Sequence, residues 1–329
     1  MTTVIPQRTL SANIYPGSVE VGEGIERTLI ELNYPTLSPQ LEMDFMCTMS
    51  ITPDANRAVL RIFNLSKATR DRLAGIVKRN LDVTAAIASD IGFYTSLGAA
   101  SVVKQTTVNR GDAFVEVYGG YKPSPALLFQ GSTQWCRHMR NGPTWLTEME
   151  IGDGLSTMMD GVASKQFPPG ALLIDVIKFV VQTMGLGLGN LSEDRILEIV
   201  GPGKATFPFG FTCFGESKNL LSNLIHPYGG EWFVDRGECY FVMRGQALPD
   251  APIIVSPDSG LLASPDPVEN GKLRLRSVLR PDVRIGRKVA VQSSSYEGTY
   301  RVEVVTHAIN NRVGQSITDM LLSPGVDPF

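Results

Sequence analysis

Short β-type runs closed by Gly, Pro or Asn turns fill both ends of this chain, and sustained helical spacing occupies only the middle. Near the start, Glu26 to Asn33, Leu41 to Ile51 and Ala58 to Phe63 are separated by turns at Tyr34-Pro35-Thr36 and Thr52 to Asn56. Ala113 to Tyr118, Leu127 to Gln130, Thr133 to Met139 and Trp145 to Ile151 continue the pattern, with a turn at Arg140 to Pro143. It resumes late in Lys272 to Leu279, Arg287 to Gln292, Thr299 to Asn310 and Gln315 to Leu322. Regularly spaced short strands with such turns predict barrels or sandwiches. The 32 glycines and 21 prolines suit strands and turns and are too few for a collagen or a disordered chain.

The middle obeys another period. Leu172, Leu173, Val176, Ile177, Val180, Val181 and Met184 predict an amphipathic helix ending at Gly185-Leu-Gly-Leu-Gly189. Leu220, Leu221, Leu224 and Ile225 predict a second, stopped by Pro227, and Gly229 to Met243 reads as a hairpin with Asp235-Arg-Gly237 at its tip. A Pro-rich link, Leu248 to Pro252, leads back to strands. Earlier, Ser66 is placed to cap a short helix, residues 1–25 read as an extended arm, and 80–109 as an inserted, partly helical excursion. The expected fold is therefore mainly β with an α+β insert.

The two β-rich ends echo each other. In one, His138 is followed by an Asn-Gly turn and then by Thr147-Glu148-Met149. In the other, His307 is followed by Asn310 to Gly314 and then by Thr318-Asp319-Met320. A true repeat would mean two copies of one β unit flanking an insert.

Charge and motif content exclude several functions. With 30 Lys+Arg against 33 Asp+Glu, the chain lacks the basic balance of a dedicated nucleic-acid binder. The four cysteines are scattered without a CxxC pair, which suits reduced thiols made in a cytosol. No secretory signal or bilayer-length apolar run is evident. The three histidines form no HExxH, and neither a GxSxG elbow nor a P-loop occurs. Gly185 to Gly189 comes after a helix, so it reads as a flexible helix exit and not as a phosphate loop. Glu148, Glu150, Asp153 and Asp160 raise the two-carboxylate question of glycosidases, but Glu148 and Glu150 share one strand face and read as solvated. No catalytic, cofactor or metal site is expected.

The sharpest charge feature runs from Lys272 to Lys288. Leu273, Leu275, Ser277 and Leu279 alternate with Lys272, Arg274 and Arg276, and Arg280 and Arg284 lie further on. One face can be apolar while the other presents a basic ladder. That ladder is either a solvated face or the candidate partner interface, meeting an acidic protein surface in preference to a nucleic-acid backbone.

In this order the motifs resemble the baseplate hub proteins of tailed phages, including the late-control tail proteins. Arg57-Ala-Val-Leu-Arg-Ile-Phe-Asn64-Leu-Ser66 is similar to that family's strand ending in an Asn-Leu-Ser helix cap. Gly119-Gly-Tyr121, Leu128-Phe-Gln-Gly131, Trp145 to Glu148 with Asp153-Gly154, and Gly229-Gly-Glu-Trp232 carry the likeness onward. Ser259 to Pro265, Leu279 to Gly286 and Glu297 to Val302 leading to His307 complete it. The main departure is the segment 80–109.

The resemblance implies two tail-tube-like β-barrels, residues 1–155 and 251–329, flanking a smaller α/β region at 156–250. It further implies a homotrimeric ring that joins a sixfold tail tube to a threefold central spike among other baseplate proteins. DNA would pass only as transient lumen cargo, without stable membrane insertion. The implied location is the virion tail baseplate, assembled in the bacterial host cytoplasm. Two alternatives stand beside it. One is a tail-associated peptidoglycan hydrolase using Glu148 and Asp153. The other is a spike-base component of a phage-tail-like secretion machine.

Overall fold

Alternating apolar residues give the first part of the chain seven strands: β1 (Arg8–Tyr15), β2 (Ile30–Leu32), β3 (Met43–Ser50), β4 (Asn56–Phe63), β5 (Phe114–Tyr121), β6 (Ala126–Asn141) and β7 (Thr144–Asp153). In the computed structural model the described residues are 8–15, 30–33, 41–54, 56–71, 73, 113–122, 125–153, 161–201 and 203–324. The excursion at 80–109 and most of the arm at 1–25 lie outside them. Ser66 does cap the helical turn after β4, its Oγ accepting from Thr69 N at 3.1 Å.

The middle comprises β8 (Val162–Phe167), β9 (Ala171–Leu172), α1 (Leu173–Thr183), α2 (Glu193–Val200), β10 (Thr206–Phe207), β11 (Phe211–Glu216), α3 (Ser217–Ile225), β12 (Gly230–Asp235) and β13 (Glu238–Met243). It has its own core, in which Val176, Ile177, Val180 and Leu221 pack with Trp232 and Phe241. The last part supplies β14 (Ile253–Val255), β15 (Asp266–Pro267), β16 (Leu273–Val278), β17 (Lys288–Gln292), β18 (Glu297–Asn310) and β19 (Ser316–Pro324). No helix among the described residues is long and apolar enough to cross a membrane.

The fold is mainly β, and the two β-rich ends share one 13-stranded sheet, in the order β15-β16-β19-β18-β3-β4-β7-β6-β5-β1-β2 with β17 and β14 branching from β18. The seam is β18 against β3, antiparallel from Val304↔Ser50 to Asn310↔Asp44. Among the described residues the pairings form one branched sheet and draw no closure of either half into a separate barrel. One core runs under both halves, from Leu10, Phe45 and Phe129 to Val289, Val302 and Met320.

The echo in the sequence is an echo in register. His138 faces Thr147 across β6–β7, and His307 faces Thr318 across β18–β19. The Nδ1···Oγ1 distances are 3.0 and 2.9 Å. One strand further, Arg61 on β4 meets Glu148, and Arg276 on β16 meets Asp319. Each long strand carries its β-bulge at the same place before the histidine, between Thr133 and Trp135 in β6 and between Val302 and Val304 in β18. In each, the first half bonds one strand, β5 or β17, and the second half bonds the hairpin partner. Bulges at matching places are features of a shared design.

Candidate assembly interface

The ladder from Lys272 to Arg284 is on the surface, but its charges are mostly spent at home. Lys272 Nζ pairs with Glu303 at 2.5 Å, and Arg276 grips Asp319 through two bonds of 2.6 and 2.9 Å. Arg280 holds Asp282 at 2.9 and 2.7 Å, and Arg284 Nε donates to Asp235 at 2.6 Å. Arg274 alone of the five is exposed with no ion-pair partner among the described residues. The apolar side behaves as the alternation requires, with Leu273, Leu275 and Leu279 buried. The strip is not an open sheet edge either. Pro267 pairs with Leu273, and Leu261 bridges Ser277.

The carboxylates fall on opposite faces of β7. Glu148 is buried, contrary to the solvated position its alternation suggests. Arg61 Nε donates to it at 2.9 Å and Arg137 Nε at 2.7 Å. Burial raises its pKa and the two guanidiniums outweigh that, holding it below the usual carboxylate range. Asp153 points the other way, toward the β12–β13 hairpin. Its two oxygens accept from the backbone N–H of Arg236 and of Gly237, both at 2.7 Å. The pair therefore does not line one cleft, as a two-carboxylate hydrolase needs.

Asp153 is the centre of a clasp. Arg236 and Gly237 both have positive φ, 55° and 74°, so the tight hairpin turns its N–H groups outward. Asn56 Nδ2 donates to Val234 O at 2.7 Å, Gln130 Nε2 to Arg236 O at 2.8 Å, and the Arg236 guanidinium to Leu127 O at 2.6 Å. Three strands of the first β unit thus seat one hairpin of the middle region, while Arg284 ties Asp235 to the second unit. Burial, with the Asp235 charge as the next cause, pushes the Asp153 carboxyl up to about 7, although its two backbone donors pull the other way.

The glycine run after α1 is a helix exit, with Gly185 at φ 64°, but it is stitched and not loose. Gly187 N donates to Gly237 O at 2.8 Å and Cys239 N to Gly187 O at 2.9 Å. Helix α2 is absent from the elements the sequence predicts, although Ser192 Oγ accepts from Arg195 N at 3.1 Å and caps it. A serine just before Glu193 is the signal that marks its start. Also unforeseen are Phe209 and Phe214, 96% and 78% exposed on the middle region. Cys47, Cys136, Cys213 and Cys239 are free thiols, and burial pushes Cys47 up to about 12 and Cys136 to about 11, which keeps both protonated near neutral pH. Among the described residues no three His, Cys, Asp or Glu side chains gather as a metal site.

The fold, with its repeated β unit in one shared sheet and an α/β module between the copies, is similar to solved structures of phage tail proteins. The 43 kDa tail protein of prophage MuSo2 from Shewanella oneidensis matches with a TM-score of 0.55 and 8% identity over 96% of this chain and 98% of that one. The tail protein from Neisseria meningitidis MC58 matches with a TM-score of 0.55 and 8% identity, covering 94% and 96%. No protein-family model matches the sequence, and no curated protein sequence matches it. The likeness is one of fold, and it agrees with the hub-like resemblance carried by the sequence motifs.

Proposed function

We propose that this chain is a structural baseplate hub of a phage tail. Three copies form a ring whose six β units face the sixfold tail tube on one side and the threefold central spike on the other. DNA passes through the lumen during ejection. The domains divide near residues 155 and 250, and the chain works in the virion tail baseplate after assembly in the host cytoplasm. The observation that carries this reading is the equivalence of the two β units down to their His–Thr pairs, Arg–acid pairs and bulges. A repeated unit lets a threefold ring present sixfold spacing, and closed rings are how soluble chains satisfy oligomer symmetry.

Arg274 is the remaining ladder position with charge to offer an acidic neighbour, and Phe209 with Phe214 offers apolar area to another baseplate protein. No hydrolase role is assigned, because the buried carboxylates are occupied in structural pairs. Cell-wall turbidity clearing that disappears in Glu148→Gln would reverse that assignment. The direct test is the mass and rotational symmetry of the purified chain by light scattering and electron microscopy. A threefold particle of three chains is expected, and a stable monomer at tens of micromolar concentration would overturn the hub.

A further inference from the structure

Unit equivalence exposes a strand edge that has no partner among the described residues. In the second unit, Val304–Asn310 of β18 bonds β19 on one side and β3 on the other. The matching stretch of the first unit is Trp135–Asn141 of β6. It bonds β7 on one side, and β5 ends its pairing at Ser132. Among the described residues no strand lies along the other side. Arg137, Arg140 and Asn141 are exposed there, with Met139 36% and Trp145 37% exposed beside them.

The missing partner can be identified by the same equivalence. β3 flanks β4, and the segment flanking β16 is 261–268. Leu261 bridges Ser277, Asp266 faces Arg274, and Val268 N donates to Lys272 O at 2.7 Å. This segment stands in the second unit where β3 stands in the first. Its outer side also has no strand partner among the described residues, and Leu262 and Val268 are 52% and 36% exposed.

We infer that the outer edge of residues 261–268 in one copy docks on β6 residues 135–141 of a second copy, repeating between chains the β18–β3 joint found within one. This rests on the trimer reading and names its contact. The relation is head-to-tail, joining two different edges, so repetition generates a ring where the rotation closes. Matching the registers sets Met139 opposite Asp266, as Ala308 sits opposite Met46, and puts Arg137 diagonal to Asp266. The joint has a polarity. Val268 turns its N–H toward β16, so the backbones of Pro265 and Pro267 alternate outward, and prolines offer carbonyls only. Hydrogen bonds at these positions can run only from β6 N–H groups to the proline carbonyls. The same prolines stop two 261–268 edges from zipping together, which protects the free chain from wrong pairing.

Met139→Cys and Asp266→Cys are introduced together into full-length protein carrying Cys136→Ser, then mildly oxidised and run on a non-reducing gel. The expected result is a ladder that stops at three chains. Either single variant alone gives no cross-link, and mixing the two single variants gives a two-chain band only. A threefold particle by mass with no such cross-link would overturn this contact and leave the trimer standing. A single variant cross-linking to itself would do the same. A monomer by mass would remove the trimer reading as well. Independently, Asp266→Asn removes the acid near Arg137 without setting a like charge opposite Arg274. It is expected to weaken association severalfold while the thermal melt of the dissociated chain is unchanged. Association equal to the parent protein's would count against the contact.

Discussion

His138 and His307 occupy matching places but different surroundings. His307 is 1% exposed, with Nδ1 on Thr318 and Nε2 3.2 Å from Val283 O. Burial lowers it to about 4, with the Val283 carbonyl and Asp282 pulling up and Arg236 adding to the fall. The folded state therefore binds fewer protons than the unfolded chain between about pH 6.5 and 4. Its contribution is complete above pH 6.5 and is lost as pH falls through 4, a full extent of about 3 kcal/mol. Asp153 has the opposite sign. Its raised carboxyl holds a proton in the fold that the unfolded chain has released, so its contribution is complete near pH 4 and is lost as pH rises through 7, and Asp235 reinforces it. The two slopes oppose each other in the parent protein. Urea unfolding across pH 4 to 7 should show stability falling more steeply with rising pH in His307→Gln, and rising more steeply in Asp153→Asn. Asp153→Asn should also cost about 1–3 kcal/mol, because its amide faces two N–H donors with one oxygen.

Ser192→Ala should cost about 1 kcal/mol by leaving the first turn of α2 without its cap, measured by chemical denaturation. At Gly189, φ is 50° and an added Cβ would lie 2.2 Å from Cys239 O. Gly189→Ala should therefore loosen the stitch to β13, read as faster hydrogen exchange at the Gly187 and Cys239 amides. These elements also show how far the sequence was legible. α1 and α3 announce themselves through apolar residues at helical spacing, and the hairpin through its Asp-Arg-Gly tip. α2 is short, with only Ile196, Ile199 and Val200 buried, too few to stand out beside a glycine run. β6 reads as two strands because Gly131 interrupts it. In the fold Gly131 marks the place where the strand passes close to β7, an added Cβ meeting Gly152 O at 2.3 Å. The ladder's alternation was readable, but its neutralisation was not, since Glu303, Asp319 and Asp235 come from distant strands. The Asp153 clasp was hidden for the same reason, as its donors are backbone amides of another region.

At the scale of the whole molecule, Arg274→Gln is the clean test of the ladder, because it removes the charge without setting a second acid opposite Asp266. It should leave the melting temperature within a degree or two and lower incorporation into tails, scored by particle composition. Arg276→Glu is a poorer probe, because it sets two acids face to face with Asp319 and destabilises the sheet itself. Phe209→Ser should likewise spare stability and reduce incorporation if the middle region contacts a neighbour. The seam between β3 and β18 has a further consequence for biogenesis. Thr48 and Thr306, whose hydroxyls meet at 3.1 Å, are 258 residues apart in the chain. Such remote contacts make for slow folding, because a long loop must close before they form. During translation β3 emerges early and must wait for nearly the whole polypeptide before its outer edge is covered. A waiting edge of that kind is open to pairing between nascent chains, so production should be sensitive to synthesis rate and to chaperones.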